Sequence, residues 1–232
     1  MQFENRTEAG RTLGRALLTY AGRDLLVLGL PRGGVPVAFE VADMLAAPLD
    51  VWVVRKLGVP FQPELGMGAI AEGPAVYLDR DLVARLGLSS REVMDVVRRE
   101  GDEVRRRVSR FRGARPAPEV KGRTVLLVDD GIATGGTTRA AVKGLRKRGA
   151  TELVLAVPVA SPEVISTLRP LVDDIVCLFR PRDLVAIGVW YEDFQQVPDL
   201  EVTRLLELAR TRHEAEGAGA NSLHGEGATA PY

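Results

Sequence analysis

Residues 124–137 read TVLLVDDGIATGGT: an apolar run that stops at two adjacent carboxylates and continues through glycines and hydroxyls into helix-forming sequence. The run Val125, Leu126, Leu127, Val128 does not alternate with polar residues, which fits a parallel strand covered on both faces. Open α/β sheets bind ligands just beyond the carboxyl ends of their strands, where this pattern puts Asp129 and Asp130. Gly131, Gly135 and Gly136 let the backbone turn tightly against a ligand. Thr134, Thr137 and Thr138 bring hydroxyls to the start of a helix expected over residues 138–148. Free amides there favour an anion, whereas two carboxylates repel an anion but accept hydrogen bonds from a vicinal diol. Together they ask for a ribose bearing a 5′-phosphate.

The chain has 232 residues, of which 46% are hydrophobic, enough to bury one sizeable core. Its 31 acidic and 31 basic side chains balance, so no global field recruits nucleic acid or an anionic membrane. Cys177 is the sole cysteine, which excludes a disulfide framework and any multi-cysteine metal site. The only histidines, His213 and His224, lie near the end of the chain, which argues against a histidine-based triad or metal centre. With no apolar stretch of spanning length and no basic-then-apolar start, the expected location is the cytoplasm.

Helical spacing predicts a helix over residues 6–20, and buried strands are expected at 25–30, 50–55, 153–159 and 174–178. The strand at 25–30 ends in Pro31-Arg32-Gly33-Gly34 and opens a helix, so these amides and the Arg32 guanidinium suit a second anion. Residues 56–73 are rich in glycine and proline and read as a mobile functional loop with a short strand near 68–71. Residues 82–112 are helical except for a break at Gly87-Leu88-Ser89, with Ser89 or Ser90 as the cap and Glu92 or Val93 in the first turn. The stretch 91–115 holds nine arginines against five acids, but acid-then-base pairs at i, i+4 make it a solvated or subunit-contacting helix. Alternating strands and helices give an α/β fold, a doubly wound, mostly parallel sheet. Residues 179–200 are irregular and aromatic, fit to cover the crevice as a hood. A closing helix is expected at 202–210, and from Thr211 onward a disordered tail.

The Asp-Asp-x-x-Ala-Thr-Gly-Gly-Thr stretch resembles the phosphoribosyl-pyrophosphate (PRPP) signature of the type I phosphoribosyltransferases, in the form used by adenine-type and uracil-type members. The resemblance covers residues 25–200 and implies that fold, with residues 80–115 as a helical insertion and 1–210 as one domain. It implies that Asp129 and Asp130 hold the ribose hydroxyls, and that Gly131, Ala133, Thr134, Gly135, Gly136, Thr137 and Thr138 wrap the 5′-phosphate. Arg32, Gly33 and Gly34 resemble the family's pyrophosphate loop, which often contains a non-proline cis peptide, and Arg55-Lys56 resembles a basic pair set against the pyrophosphate. Asp129, Asp130 and Arg32 are the catalytic candidates, and Mg²⁺ is the implied cofactor, carried mainly by PRPP itself.

The hood resembles that of hypoxanthine-type enzymes, with Leu184 where an aromatic stacks on the base and Asp193 where an aspartate reaches the metal-pyrophosphate. Trp190 or Tyr191 either stacks on the base instead or packs beneath the hood. Ala133 stands where 6-oxopurine enzymes place a proton-exchanging aspartate, which disfavours hypoxanthine and guanine unless Glu64 or Glu72 supplies the proton. The implied activity is transfer of a phosphoribosyl group from PRPP to a nucleobase-like acceptor, in nucleotide salvage, by a homo-oligomer. A PRPP-sensing module without turnover is the alternative.

Overall fold

The computed structural model describes residues 2–73 and 75–222. Five parallel strands form the main sheet: β1 (Leu25–Gly29), β2 (Leu49–Val51), β6 (Thr124–Val128), β7 (Glu152–Val159) and β8 (Asp174–Phe179), in the order β2-β1-β6-β7-β8. Helix α1 (Arg6–Ala16) precedes β1, and α2 (Gly34–Met44), α5 (Gly136–Lys147) and α6 (Pro162–Leu168) connect β1 to β2, β6 to β7 and β7 to β8. Every residue of β1 and four of the five in β6 are buried, as a strand covered on both faces requires. Successive side chains divide between the two faces. Leu25, Val27, Leu126 and Val128 pack with α1 and α2, while Leu26, Leu28, Val125 and Leu127 face the α5 side. Strand order reverses between β1 and β6, so the crevice at their carboxyl ends is the topological switch point.

The strand expected at 50–55 is two strands. The chain leaves the parallel sheet after Val51, turns at the buried Trp52 and Val53, and starts a separate antiparallel sheet of β3 (Val54–Val59), β4 (Gln62–Ala71) and β5 (Val76–Leu78). Residues 56–73, read from sequence as a mobile loop, are therefore mostly the β3–β4 hairpin, with a register shift near Gly58. Its apolar residues Leu57, Val59 and Met67 are fully buried against the long helix α4 (Ser90–Arg112), which supplies Val93, Val96, Val104 and Phe111. Helix α3 (Arg80–Arg85) precedes α4, and Ser89 caps α4 in a reciprocal capping box with Glu92.

Helix α7 (Asp199–Ser222) runs through Thr211, where a disordered tail was expected; residues 223–232 lie outside the described residues. Few apolar residues support this extension. Ala, Glu and Arg are strong helix formers, Arg210 pairs with Glu214 at 2.8 Å, and Arg212 pairs with Asp43 and lies over the Phe39 ring.

At the end of α4, Arg112 is buried among two carboxylates. Its Nη1 donates to Glu72 at 2.6 Å, its Nε to Asp50 Oδ2 at 3.1 Å and its Nη2 to the Val51 carbonyl at 2.9 Å. Glu72, buried and committed to Arg112, is thus a structural anchor and not a proton donor for a substrate. Burial raises the Asp50 pKa, opposed chiefly by the Arg112 charge. Removing the guanidinium strands two carboxylates inside the protein. Arg112→Met is expected to cost about 3–5 kcal/mol in urea unfolding, and the added Glu72→Gln to recover part of that loss.

Candidate active site

The acid pair sits at the switch point, immediately beyond β6. Asp129 Oδ1 accepts the Asp130 amide at 2.9 Å, and Asp130 Oδ2 accepts Arg6 Nε at 2.8 Å. The loop after β1 lies directly against these acids. A Cβ on Gly33 would fall 2.0 Å from Asp130 Oδ2, and one on Gly34 would fall 2.8 Å from the Asp129 Cα. Only glycine fits at either position, and the Pro31–Arg32 peptide beside them is cis, as expected for Arg32.

Arg6 was not singled out from sequence, where it reads as the first residue of an amphipathic helix. In the fold it is 11% exposed, stacks 3.9 Å from the Phe194 ring centroid and donates to the Gln195 carbonyl at 2.9 Å. It thereby joins α1, the hood and the acid pair. Tyr191 also belongs to this support: its ring is buried and its hydroxyl donates to the Asp130 carbonyl at 2.6 Å. Burial, then the Asp130 charge, pushes its phenol far above the usual range. Trp190 stacks on Phe179, and Phe3 packs on Phe179 and Tyr191. Of the two readings for Trp190 and Tyr191, the structure takes packing beneath the hood. Asp193 is exposed, and its carboxylate caps the Gln195 amide at 3.1 Å.

The phosphate-loop residues separate by face. Gly135, at φ +75°, turns the chain into α5; Thr134, Gly136 and Thr137 line an open cleft of about 740 Å³, while Thr138 is buried and turned away from it. Gly131 packs under the hood, where a Cβ would fall 2.6 Å from Ile187 Cγ2. The second sheet forms the other wall of the cleft through Lys56, Glu64, Gly66, Gly68, Tyr77 and Asp79. Arg55 and Lys56 do not act as a pair at a strand end. They are neighbours inside β3, where side chains alternate. Arg55 pairs with Glu100 of α4 at 2.8 Å, whereas Lys56 lines the cleft and donates to the Glu64 carbonyl at 3.0 Å. Arg139, also on the cleft wall, carried no sequence signal beyond its place one turn into α5. Arg32 is 3.7 Å from Asp199 at the start of α7.

The chain matches the family model described as phosphoribosyl transferase domain over residues 7–179. It is 45% identical over 216 residues to Rv0571c of Mycobacterium tuberculosis, provisionally named a phosphoribosyl transferase; this covers 93% of the present chain and 49% of the relative. The chain thus spans about half the length of the curated relatives it matches. A shorter stretch of 58 residues, 25% of the chain and 28% of the relative, is 38% identical to the uracil phosphoribosyltransferase of Lacticaseibacillus paracasei. The crystal structure of TT1426 from Thermus thermophilus superposes with a TM-score of 0.77 at 40% identity, covering 89% of this chain and 98% of that one. The fold and the acid-pair crevice define an α/β protein of the type I phosphoribosyltransferase class. The chain belongs to the phosphoribosyl transferase domain family.

Burial raises the pKa of both acids. For Asp129 the Asp130 charge adds to the rise; for Asp130 the Arg6 charge opposes it. A carboxyl whose folded pKa lies above its unfolded value binds more protons in the folded state, so its ionisation subtracts stability as pH rises through the window between the two. Asp129→Asn keeps the acceptor for the Asp130 amide and removes that cost. Its melting temperature at neutral pH is expected to rise by a few degrees, roughly 2–4 °C per kcal/mol for a chain of this size. The Arg6 charge favours the ionised form of Asp130 and opposes the rise that burial causes. In Arg6→Met the acidic limb of PRPP affinity, followed by calorimetry against pH, is expected to move to higher pH.

Proposed function

We propose that this chain transfers the 5-phosphoribosyl group of PRPP to a nucleobase-like acceptor, releasing pyrophosphate. One observation carries the reading: the paired acids meet the Gly33–Gly34 backbone so closely that no side chain fits between them. A ribose diol on Asp129 and Asp130 therefore places its anomeric substituent beside the cis loop. The amides there and Arg32 receive a leaving pyrophosphate. Lys56, Thr134 and Thr137 face the same cleft and suit the phosphates.

In the reaction the C1′–O bond breaks with its electron pair going to pyrophosphate. The acceptor nitrogen forms the new C1′ bond and gives up its proton. Positive charge develops on the ribose as the leaving group departs. Asp129 and Asp130 lie beside that charge and stabilise it while fixing the hydroxyls. Among the described residues no three carboxylate, histidine or cysteine side chains gather to hold a metal. Mg²⁺, if bound, would be held chiefly by PRPP oxygens and water and would supply positive charge against the pyrophosphate. Ala133 offers no proton, so deprotonation of the acceptor falls to Glu64 on the hairpin or to solvent.

Among the described residues no helix is long and apolar enough to cross a membrane. The exposed arginine face of α4 suits a contact between subunits of a homo-oligomer. Its pairs are largely one turn apart, Asp95 with Arg98 and Glu103 with Arg106 and Arg107.

The test is calorimetric binding of PRPP with Mg²⁺, beside pyrophosphate release over a panel of bases. The wild type is expected to bind PRPP and to release pyrophosphate only when an acceptor is present. Asp129→Asn with Asp130→Asn is expected to lose both while remaining folded, since each charge-assisted bond is worth about 1.5–3 kcal/mol. PRPP affinity unchanged in the folded double variant would sink the ribose assignment. Binding without turnover on any acceptor would favour a PRPP sensor.

A further inference from the structure

A second cavity, of about 390 Å³, shares Thr134 and Arg139 with the first and is lined by segments that follow three successive strands and by helices α5 and α6. Ala133 and Thr134 come from the loop after β6, Ser161 from the end of β7, and Arg182 and Leu184 from the stretch after β8. In the sheet order β2-β1-β6-β7-β8 this cavity lies on the opposite side of β6 from β1. The pyrophosphate loop follows β1. A displacement at one carbon, with its leaving group on the β1 side, takes its nucleophile from the other face. On the transferase reading this cavity is the place for the acceptor.

Its walls are unsuited to a neutral, stacked base. No aromatic ring lines it, because the hood aromatics are spent on one another and on Phe3. It presents two guanidiniums instead. Arg182 has no hydrogen-bond or ion-pair partner among the described residues, and Arg139 has only the Thr167 carbonyl at 3.3 Å. Eight of the 27 arginines have no carboxylate partner among the described residues, and of these eight only Arg139 and Arg182 line this cavity. Glu163 also lines the cavity, which leaves an excess of one positive charge. That excess fits a monoanion better than a phosphate dianion, and a guanidinium matches the planar fork of a carboxylate.

We propose that the acceptor carries a carboxylate, received by Arg182 and Arg139 on the β7 side of the acid pair. The inference rests on the transferase reading above and narrows its substrate. Arg139 reaches both cavities and touches the PRPP side as well. Arg182 lines only the acceptor cavity, which makes it the discriminating residue.

The experiment is calorimetric binding to the full chain of two matched nucleotide pairs, together with PRPP and Mg²⁺. The pairs are orotidine 5′-monophosphate with uridine 5′-monophosphate, and nicotinate mononucleotide with nicotinamide mononucleotide. In at least one pair the carboxylated member is expected to bind roughly tenfold tighter or more. Arg182→Gln is expected to abolish that preference while leaving PRPP affinity within about twofold. If PRPP binds but neither pair shows a preference, whether both members bind or neither does, the carboxylate assignment is overturned. A preference that survives Arg182→Gln overturns it equally. Failure of the wild type to bind PRPP would instead bring down the transferase reading, and this inference with it.

Discussion

Two adjacent carboxylates held at a strand end, largely out of water and beside one another, are the constraint on which the rest of this structure depends. Such a pair is unfavourable in isolation, and the surrounding residues limit the cost without removing it. Arg6 supplies one opposing charge at 2.8 Å, and the Asp130 amide bonds the Asp129 carboxylate. Burial still raises both pKa values, so the pair costs the fold more than it contributes. The buried strands on either side, β1 and β7, make the placement rigid: a one-residue slip in β6 would move both carboxylates and expose its leucines.

The second sheet answers a different requirement. For the proposed phosphorylated substrate, a crevice open on one side would leave its charge in bulk water, where each interaction is weak. The β3–β4 hairpin closes that side, and it needs its own core, supplied by α4. The Arg112–Glu72–Asp50 cluster then ties together the end of α4, the end of β4 and β2 of the main sheet. Because β2 and β3 are separated only by Trp52 and Val53, the cluster fixes the hairpin at the point where the chain changes sheets. The helical insertion thus acts as the mount for one wall of the cleft.

What could be seen in the sequence was local. The strand, acid pair and glycine loop follow one another along the chain, and so do the Ser89–Glu92 capping box and the Gly33–Gly34 turn. What escaped was produced by pairing at a distance. Arg6 meets Asp130 across 124 positions, and nothing near Arg6 announces it. The β3–β4 hairpin hides behind glycine and proline, because its order comes from α4 packing and not from its own propensity. The end of α7 was missed for the opposite reason. It has little to bury, but its residues favour the helix without a core. Thr138 shows the limit of motif reading, since helix geometry turns it inward while Thr134 and Thr137 face the cleft.

The order of the strands also sets the direction of the chemistry. With β1 and β6 side by side, the loop after β1 and the acid pair must be neighbours, and on the proposed transferase reading everything contributed after β7 and β8 would lie across from the leaving group. Residues in the first group recognise what every reaction of this type shares, and their tolerances are steric and narrow, as Gly33 shows. In the proposed reading the second group would meet only the acceptor, and it includes Leu184, Arg182 and Ser161 with no aromatic among them. A fold divided in this way can change its acceptor without disturbing its grip on the phosphoribosyl donor, because the two sets of contacts meet only at the loop after β6 and at Arg139. Arg139 is therefore the position at which a change of acceptor would be felt by the donor.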